Sequence, residues 1–415
     1  MGPARCPEAL RAASAVLLLI ATFAFGSSAS RADDRFTLDG DLDIRWVHAT
    51  GDLSFLNGGL GILRFDPDHE GLELGRAFLA PNWRISDLIT LHAVVDTYGD
   101  HNRNPVDLSE FYFAVHPFPS GAVRWRARVG AFYMPVSLEN RGIGWTDVYS
   151  ITPSALNTWL GEEFRTIGAE VEGRWLGASS GYLGDFAIIG AVYGWNEPAG
   201  SLLADRGFAM TDRPSTLFGY LGSPPLDFYH EVDRRPGYYA GLSWRHHDRL
   251  EIRALRYDNR ADPGAQTESG FYAWHTRFSS AGARLEPGEH WTFIAQYLDG
   301  DTVNDDEGYW GTPFLMSFRA AFALASFEWG PERLTARYDT FRTHQPSGVY
   351  GPPSNDDGHA WTFAWTRELG DHWQFVAEWL RIVSGFPPRV ELAEPVFQAQ
   401  TEIQLAVRYR FQLAW

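Results

Sequence analysis

The last fifteen residues, Thr401-Glu-Ile-Gln-Leu-Ala-Val-Arg-Tyr-Arg-Phe-Gln-Leu-Ala-Trp415, alternate in character almost without a break. Ile403, Leu405, Val407, Tyr409, Phe411, Leu413 and Trp415 are apolar. Between them stand Glu402, Gln404, Arg408, Arg410 and Gln412, with Ala406 as the small exception. Only an extended strand, whose side chains point to opposite faces in turn, separates these two sets. One face suits lipid and the other water. The same pattern recurs near the start of the chain, where Phe36, Leu38, Leu42, Ile44 and Trp46 alternate with Thr37, Asp39, Asp41, Asp43 and Arg45.

Working outward, the period of two predicts strands near 36–48, 71–84, 88–98, 107–116, 122–134, 165–176, 185–195, 237–246, 249–258, 271–285, 290–299, 314–328, 332–341, 359–369, 372–383 and 401–415. A tilted strand of ~9–11 residues crosses a membrane, and these mostly suffice. Long connections (49–70, 99–106, 135–164, 196–236, 259–270, 300–313, 342–358, 384–400) alternate with short turns such as Ser86-Asp87, His247-Asp248 and Gly370-Asp371. A soluble β-sandwich has no reason to alternate in this way. A transmembrane barrel does, because its periplasmic turns are short and its external loops long. The fold expected is therefore all-β, a transmembrane antiparallel barrel of about sixteen strands. The segment 185–195 is apolar on both faces, and 271–285 and 290–299 do not reveal which face points inward.

The N-terminus points to export. Arg5 and Arg11 precede an apolar run from Ala12 to Phe25, and Ser30-Arg31-Ala32 offers a cleavage site before Asp33. Residues 1–32 therefore read as a signal peptide and 33–415 as the barrel. The only cysteine, Cys6, falls within the leader, so no disulfide framework and no cysteine metal site is expected. The formal charge of −17 includes a net +2 from Arg5, Arg11, Arg31 and Glu8, leaving the mature chain near −19. That balance argues against nucleic acid. All cationic side chains are arginine and none is lysine.

The fifth strand carries the most chemistry. In Val123-Arg-Trp-Arg-Ala-Arg-Val129 the apolar residues share one face, and Arg124, Arg126 and Arg128 share the other. With the apolar face against lipid, the arginines project into the lumen as a candidate anion track. Their bland role is pairing with loop carboxylates such as Glu139, Glu162 and Glu163. The connection 135–164 follows this strand, and by strand count it is the candidate constriction loop. It carries Glu139, Asp147, Glu162 and Glu163 with Trp145, Tyr149 and Trp159. Further inward charges (Asp39, Asp41, Asp43, Glu170, Glu172, Glu251, Asp339 and Glu402 with Arg45, Arg174, Arg253, Arg337, Arg408 and Arg410) read as cross-strand pairs that hold the wall. Trp46, Trp83, Tyr98, Trp175, Trp195, Trp291, Trp329 and Trp373 lie at strand limits and read as interfacial girdles. The acidic run over 299–307 reads as a solvated loop, with divalent-cation binding as its functional alternative.

Val129-Gly-Ala-Phe-Tyr-Met-Pro-Val-Ser-Leu-Glu-Asn140, Tyr149-Ser-Ile-Thr-Pro-Ser-Ala-Leu-Asn-Thr-Trp159 and Arg165-Thr-Ile-Gly-Ala-Glu170 resemble the phosphate-selective porin O and P superfamily. The likeness is strongest over 71–176 and continues through Arg337-Tyr-Asp-Thr-Phe341 and the last strand. It implies a sixteen-stranded homotrimeric porin of the Gram-negative outer membrane. Phosphate channels of that family combine an arginine ladder with a lysine-rich funnel, whereas this chain has the three arginines and no lysine. The terminal aromatic resembles the assembly signal read by the barrel assembly machinery. The expected partners are outer-membrane lipid, lipopolysaccharide and small polar or anionic solutes. No cofactor, metal or catalytic group is expected. The competing classes are an outer-membrane barrel enzyme, for which His-Glu-x-x-His is missing, and a non-conducting structural or adhesive barrel.

Overall fold

The computed structural model describes residues 35–100, 106–117, 121–222, 227–247, 249–305, 313–346 and 352–415. The leader read over 1–32, with Cys6, and the end of the acidic run at Asp306 and Glu307 lie outside these residues.

Sixteen strands form: β1 (Phe36–Thr50), β2 (Gly71–Arg84), β3 (Ile89–Thr97), β4 (Asp107–Val115), β5 (Val123–Phe132), β6 (Thr166–Trp175), β7 (Asp185–Gly194), β8 (Gly237–His246), β9 (Leu250–Asp258), β10 (His275–Leu285), β11 (Trp291–Asn304), β12 (Phe314–Trp329), β13 (Glu332–His344), β14 (Asp357–Leu369), β15 (Trp373–Gly385) and β16 (Phe397–Ala414). Each pairs antiparallel with its neighbours in chain order, and β1 pairs with β16, so the sheet is a closed barrel. Phe36 and Trp415 exchange backbone hydrogen bonds of 3.1 and 2.9 Å across that seam. Closure leaves no open edge, which hydrocarbon could not satisfy. The strands stand where the period of two places them, except that β10 begins only at His275, and β11, β13 and β16 run several residues further at their external ends, which puts Asp299 and Asp301 of the acidic run on a strand and not on a loop.

Burial is inverted relative to a soluble sheet. In β16, Glu402 and Gln404 are buried, while Leu405 and Val407 are 40% and 43% exposed. In β14, Thr362 is fully buried between Trp361 and Phe363, which are 45% and 47% exposed. Apolar area left in water forfeits ~25 cal/mol per Å2, and a belt of this size on all sides of one molecule is tolerated only against lipid. At the periplasmic ends of the strands, Trp83, Trp291, Trp329, Trp373 and Trp415 all face outward, forming the girdle expected of ring systems with one wet edge. Tyr98 is a correction. It is buried inside the barrel, 3.9 Å beneath the Arg213 guanidinium and 5.6 Å from that of Arg64. Its position at a strand limit does not distinguish an outward from an inward ring.

Three long connections, 51–70, 133–165 and the described parts of 195–236, turn into the lumen. The second carries α1 (Ala155–Glu163), all nine residues of which are buried. Ser154 Oγ caps it by accepting from the Asn157 N–H at 3.3 Å, which satisfies a donor with no helical partner. The third carries α2 (Ser201–Arg206). Trp159 of α1 packs 4.7 Å from both Phe164 and Phe318 and 5.8 Å from Phe278. Phe55, Leu203, Phe208 and Met210 complete this internal core. It explains two of the ambiguous strands: Phe278 of β10 and Leu298 of β11 face inward because apolar loops, not water, lie opposite them.

Candidate functional site

The connection after β5 crosses the barrel and is fastened to the far wall by polar contacts. Glu378 of β15 accepts from Ile151 N at 2.6 Å and Thr152 N at 3.2 Å. Gln404 of β16 donates to Thr152 Oγ1 at 3.1 Å, and Asp339 of β13 accepts from Ala155 N at 3.2 Å. The strongest fastening is Arg337, whose side chain is fully buried. It binds Asp339 at 2.9 Å, Ser150 Oγ at 3.0 Å and the Thr152 carbonyl at 2.9 Å. It also faces Glu139 at 3.3 Å and Asp147 at 3.5 Å.

The four acids read as a constriction set all lie on this inward segment, but they are buried in its supports and not gathered on one surface. Glu139 accepts from Ser154 N and from Asn157 Nδ2, each at 2.8 Å, and so shapes the entry to α1. Asp147 accepts from Tyr149 N at 2.8 Å. Burial pushes its carboxyl up to about 8, the neighbouring Glu139 adds to the shift, and Arg337 pulls against it. Glu162 pairs with Arg206 and accepts from Thr211 Oγ1 at 3.2 Å. Burial raises it to about 7 despite the arginine. Glu163 accepts from the Trp159 indole and from Gly200 N and Leu202 N, each at 2.9 Å, so it satisfies the open first turn of α2. Burial raises it too, against those donors. Asp147 borders open space.

The arginine column faces inward with local partners. Arg128 binds Glu170 at 2.8 and 2.9 Å and lies 4.1 Å over the Phe132 ring. Arg126 binds Glu172 at 3.0 Å, and Arg124 donates to the Gly121 carbonyl of its own periplasmic turn at 3.1 Å. The carboxylates come from the adjacent strand β6 and not from Glu139, Glu162 or Glu163. Strand neighbours at fixed register outcompete loop acids that must first be brought in. Arg174 stands directly opposite Arg124. Several other inward pairs are neighbours two apart on one strand, as in Asp43–Arg45, Glu172–Arg174, Glu251–Arg253 and Arg337–Asp339. The sequence reading assigned these to cross-strand contacts.

A charged cavity lies elsewhere, between the wall of β1, β2 and β16 and the inward segments. This narrow cavity, of about 40 Å3, is lined by Asp41, Asp43, Arg45, Arg76 and Arg408 on the wall and by Trp145, Thr146, Asp147, Ile151 and Asp212 opposite. Arg45 binds Asp43 at 2.9 Å and Asp212 at 2.8 Å, and Arg64 reaches Asp212 at 2.9 Å. Burial would raise Asp212, but Arg45 and Arg64 outweigh it and hold the carboxyl well below its usual range. Arg408 reaches Asp43 at 2.7 Å, and Arg76 binds Asp96 at 2.6 Å and Thr146 Oγ1 at 2.7 Å. Two glycines make room. The register of β1 against β2 shifts between Asp43 and Ile44, leaving Gly75 as an extra residue, and a Cβ there would lie 2.1 Å from Arg45 Nε. Gly144, at φ +59°, would place a Cβ 2.3 Å from an Arg76 nitrogen. The sequence reading counted Arg45 and Arg408 among wall pairs and missed Arg76, Asp212 and Gly75. The bulge was the available signal, since it shifts β2 out of simple alternation at Leu74-Gly75-Arg76.

One hydrolase-like spacing escaped the sequence reading. Gly177-Ala-Ser-Ser-Gly181 fits Gly-x-Ser-x-Gly, but it is the turn between β6 and β7, and the Ser179 hydroxyl donates to the Leu176 carbonyl at 2.8 Å. A nucleophile elbow requires a strand-to-helix turn with the serine exposed above a sheet, which this is not.

No protein-family model matches the chain, and no curated protein does. Solved structures match it in fold. The outer membrane channel DcaP of Acinetobacter baumannii superposes with a TM-score of 0.55 at 11% identity, over 93% of this chain and 99% of that one. The anion-selective porin from Comamonas acidovorans gives 0.53 at 12%, over 91% and 100%. Salmonella typhi OmpF, solved with daunomycin, gives 0.53 at 10%, over 91% and 98%. The chain therefore has the fold of a Gram-negative outer-membrane barrel.

Proposed function

We propose that this protein is an outer-membrane porin through which small polar solutes diffuse passively. The observation that carries the reading is the charged cavity between the β1–β2–β16 wall and the inward 135–164 segment, inside a barrel that is apolar outside and polar within. Arg45, Arg76 and Arg408 against Asp147 and Asp212 set cations and anions across a narrow opening, so a solute meets a transverse field rather than one sign of charge. Bulk hydrophobic solutes gain nothing by leaving lipid for such a passage.

Anions are the favoured cargo on the periplasmic side. There Arg124, Arg126, Arg128 and Arg174 face two carboxylates, Glu170 and Glu172, a local balance of +2. Phosphate fits that chemistry, and the likeness to the phosphate-selective O and P porins supports it. The chain acts as a homotrimer, by the same likeness. Its last strand, ending in Trp415, serves as the recognition element for barrel assembly. Lipopolysaccharide is the expected neighbour outside, with Arg319 of β12 and Arg342 of β13, the latter also paired with Asp357, as outward cations for its phosphates. No catalytic role is proposed.

Liposome swelling tests this reading. Vesicles containing the refolded barrel should swell in small sugars at a rate that falls steeply with solute size. Swelling no faster than in protein-free vesicles would remove the porin assignment, and lipid hydrolysis in the same vesicles would replace it with an enzyme.

A further inference from the structure

Glu197, Glu231 and Asp233 each bring a carboxylate oxygen to within 4.8 Å of the others. Glu197 lies just after β7, and Glu231 and Asp233 lie just before β8. The cluster therefore sits where the 195–236 connection leaves the wall and returns to it, at the external end of the barrel. Glu231 accepts from Trp195 N at 3.3 Å. Asp233 accepts from Arg235 N at 2.8 Å and from Asp262 N. The Arg235 guanidinium stays 3.8 Å from Asp233 and binds Asp262 at 2.7 Å instead.

Glu197 stands apart from the other two. It is 1% exposed, and neither of its carboxylate oxygens has a hydrogen-bond partner among the described residues. An ionised carboxylate is not stable in that position beside two more anions unless a cation or a proton compensates it. With a proton alone, Glu197 has to share it with the carboxylates beside it.

We propose that these three carboxylates hold one divalent hard cation, calcium by preference. The donors are all oxygen, they carry three formal charges, and they come from loops that can adjust to an irregular shell. Calcium accepts six to eight oxygens in flexible geometry, whereas magnesium requires a near-ideal octahedron. Glu231 and Asp233 are half-buried, so water completes the shell from outside. The ion clips together the two ends of the connection that carries α2. Because α2 leans on α1 through Arg206 and Glu162, the clip also braces the inward segment of the lumen. The site stands whether or not the barrel conducts.

The test uses the folded barrel in detergent, stripped with EDTA and titrated with calcium chloride in a calorimeter. Terbium luminescence excited through the nearby Trp195 gives a second readout. One site per chain is expected, with Kd of about 10⁻⁴ to 10⁻³ M as for extracellular oxygen sites. Glu197→Gln and Glu231→Gln should each weaken binding at least tenfold, and Asp299→Asn, on the outward face of β11, should leave it unchanged. If Glu197→Gln fails to fold, Asp233→Asn at the rim carries the same tenfold expectation. A wild-type chain with no saturable uptake at millimolar calcium, or equal binding by the Glu231→Gln variant, would overturn the site in favour of a shared proton. Calcium binding by a barrel that does not swell liposomes would leave the clip standing and remove the porin reading.

Discussion

Replacing Arg337 with Ala isolates the fastening of the inward segment. Its guanidinium is buried and engages Asp339, Glu139, Asp147, Ser150 and the Thr152 carbonyl. Removing it leaves three carboxylates facing one another without a cation. Deleting one partner of a buried ionic network costs ~3–5 kcal/mol. Part of that loss is recovered as Asp147 takes up its proton more firmly, so the lower figure is the safer expectation. At 1.36 kcal/mol per tenfold change, ~3 kcal/mol multiplies the undocked population of the segment by roughly 10². Arg141 lies on this segment with its side chain 36% exposed, so trypsin cleavage there reports undocking. The variant should be cut roughly 10²-fold faster than wild type, and its single-channel current should be larger and noisier. Arg337→Lys should recover little, because a point charge cannot replace a planar fork with this many partners. Cleavage within twofold of wild type, with unchanged current, would refute the idea that Arg337 pins the segment.

Replacing Arg124, Arg126 and Arg128 together with Ala changes the local balance from four cations against two carboxylates to one against two. The reversal potential in a salt gradient should move toward cation selectivity, and no movement removes the column from the selectivity argument. Trp159→Ala hollows the core around α1, with an expected loss of ~3–5 kcal/mol in segment docking visible as faster cleavage at Arg141. Gly144→Ala strains a left-handed residue and drives a Cβ into Arg76; conductance should fall while the heat-modifiable migration of the folded barrel is kept. The pH dependence has two limbs. Asp147 is raised to about 8 from 3.8, so the docked state is favoured at low pH and loses ground as pH rises from 3.8 to 8. Asp212 is lowered, so its ties to Arg45 and Arg64 are complete above 3.8 and are lost as pH falls below it. Protection at Arg141 should therefore rise as pH drops from 8 toward 4 and then decline, and a flat profile would contradict both assignments.

The wall was legible because every strand that borders lipid outside and water inside must alternate, and β1, β5, β14 and β16 do so residue by residue. Even the strands with two apolar faces were found by their turn spacing. The orientation of β10 and β11 was hidden for a physical reason: their Phe278 and Leu298 share one core with Trp159, Phe208 and Met210, and contacts between segments far apart in sequence leave no local period. The same reason hid the cavity. Asp212 reaches Arg45 across 167 positions of chain, and Gly75 matters only because Arg45 fills the hollow it leaves. The inward path of 135–164 was read from strand count, and all four of its acids lie buried on that segment. Their roles were not legible, since Glu163 caps α2 and Glu162 holds Arg206, an assignment that requires knowing where 195–236 folds.

The most direct measurement of the central claim is single-channel recording of the purified barrel in a planar bilayer. Discrete, ohmic current steps that shrink when phosphate or larger anions are added are the result expected from a charged opening beside Arg45, Arg76 and Arg408. An electrically silent membrane, with the protein demonstrably inserted and folded, would contradict it.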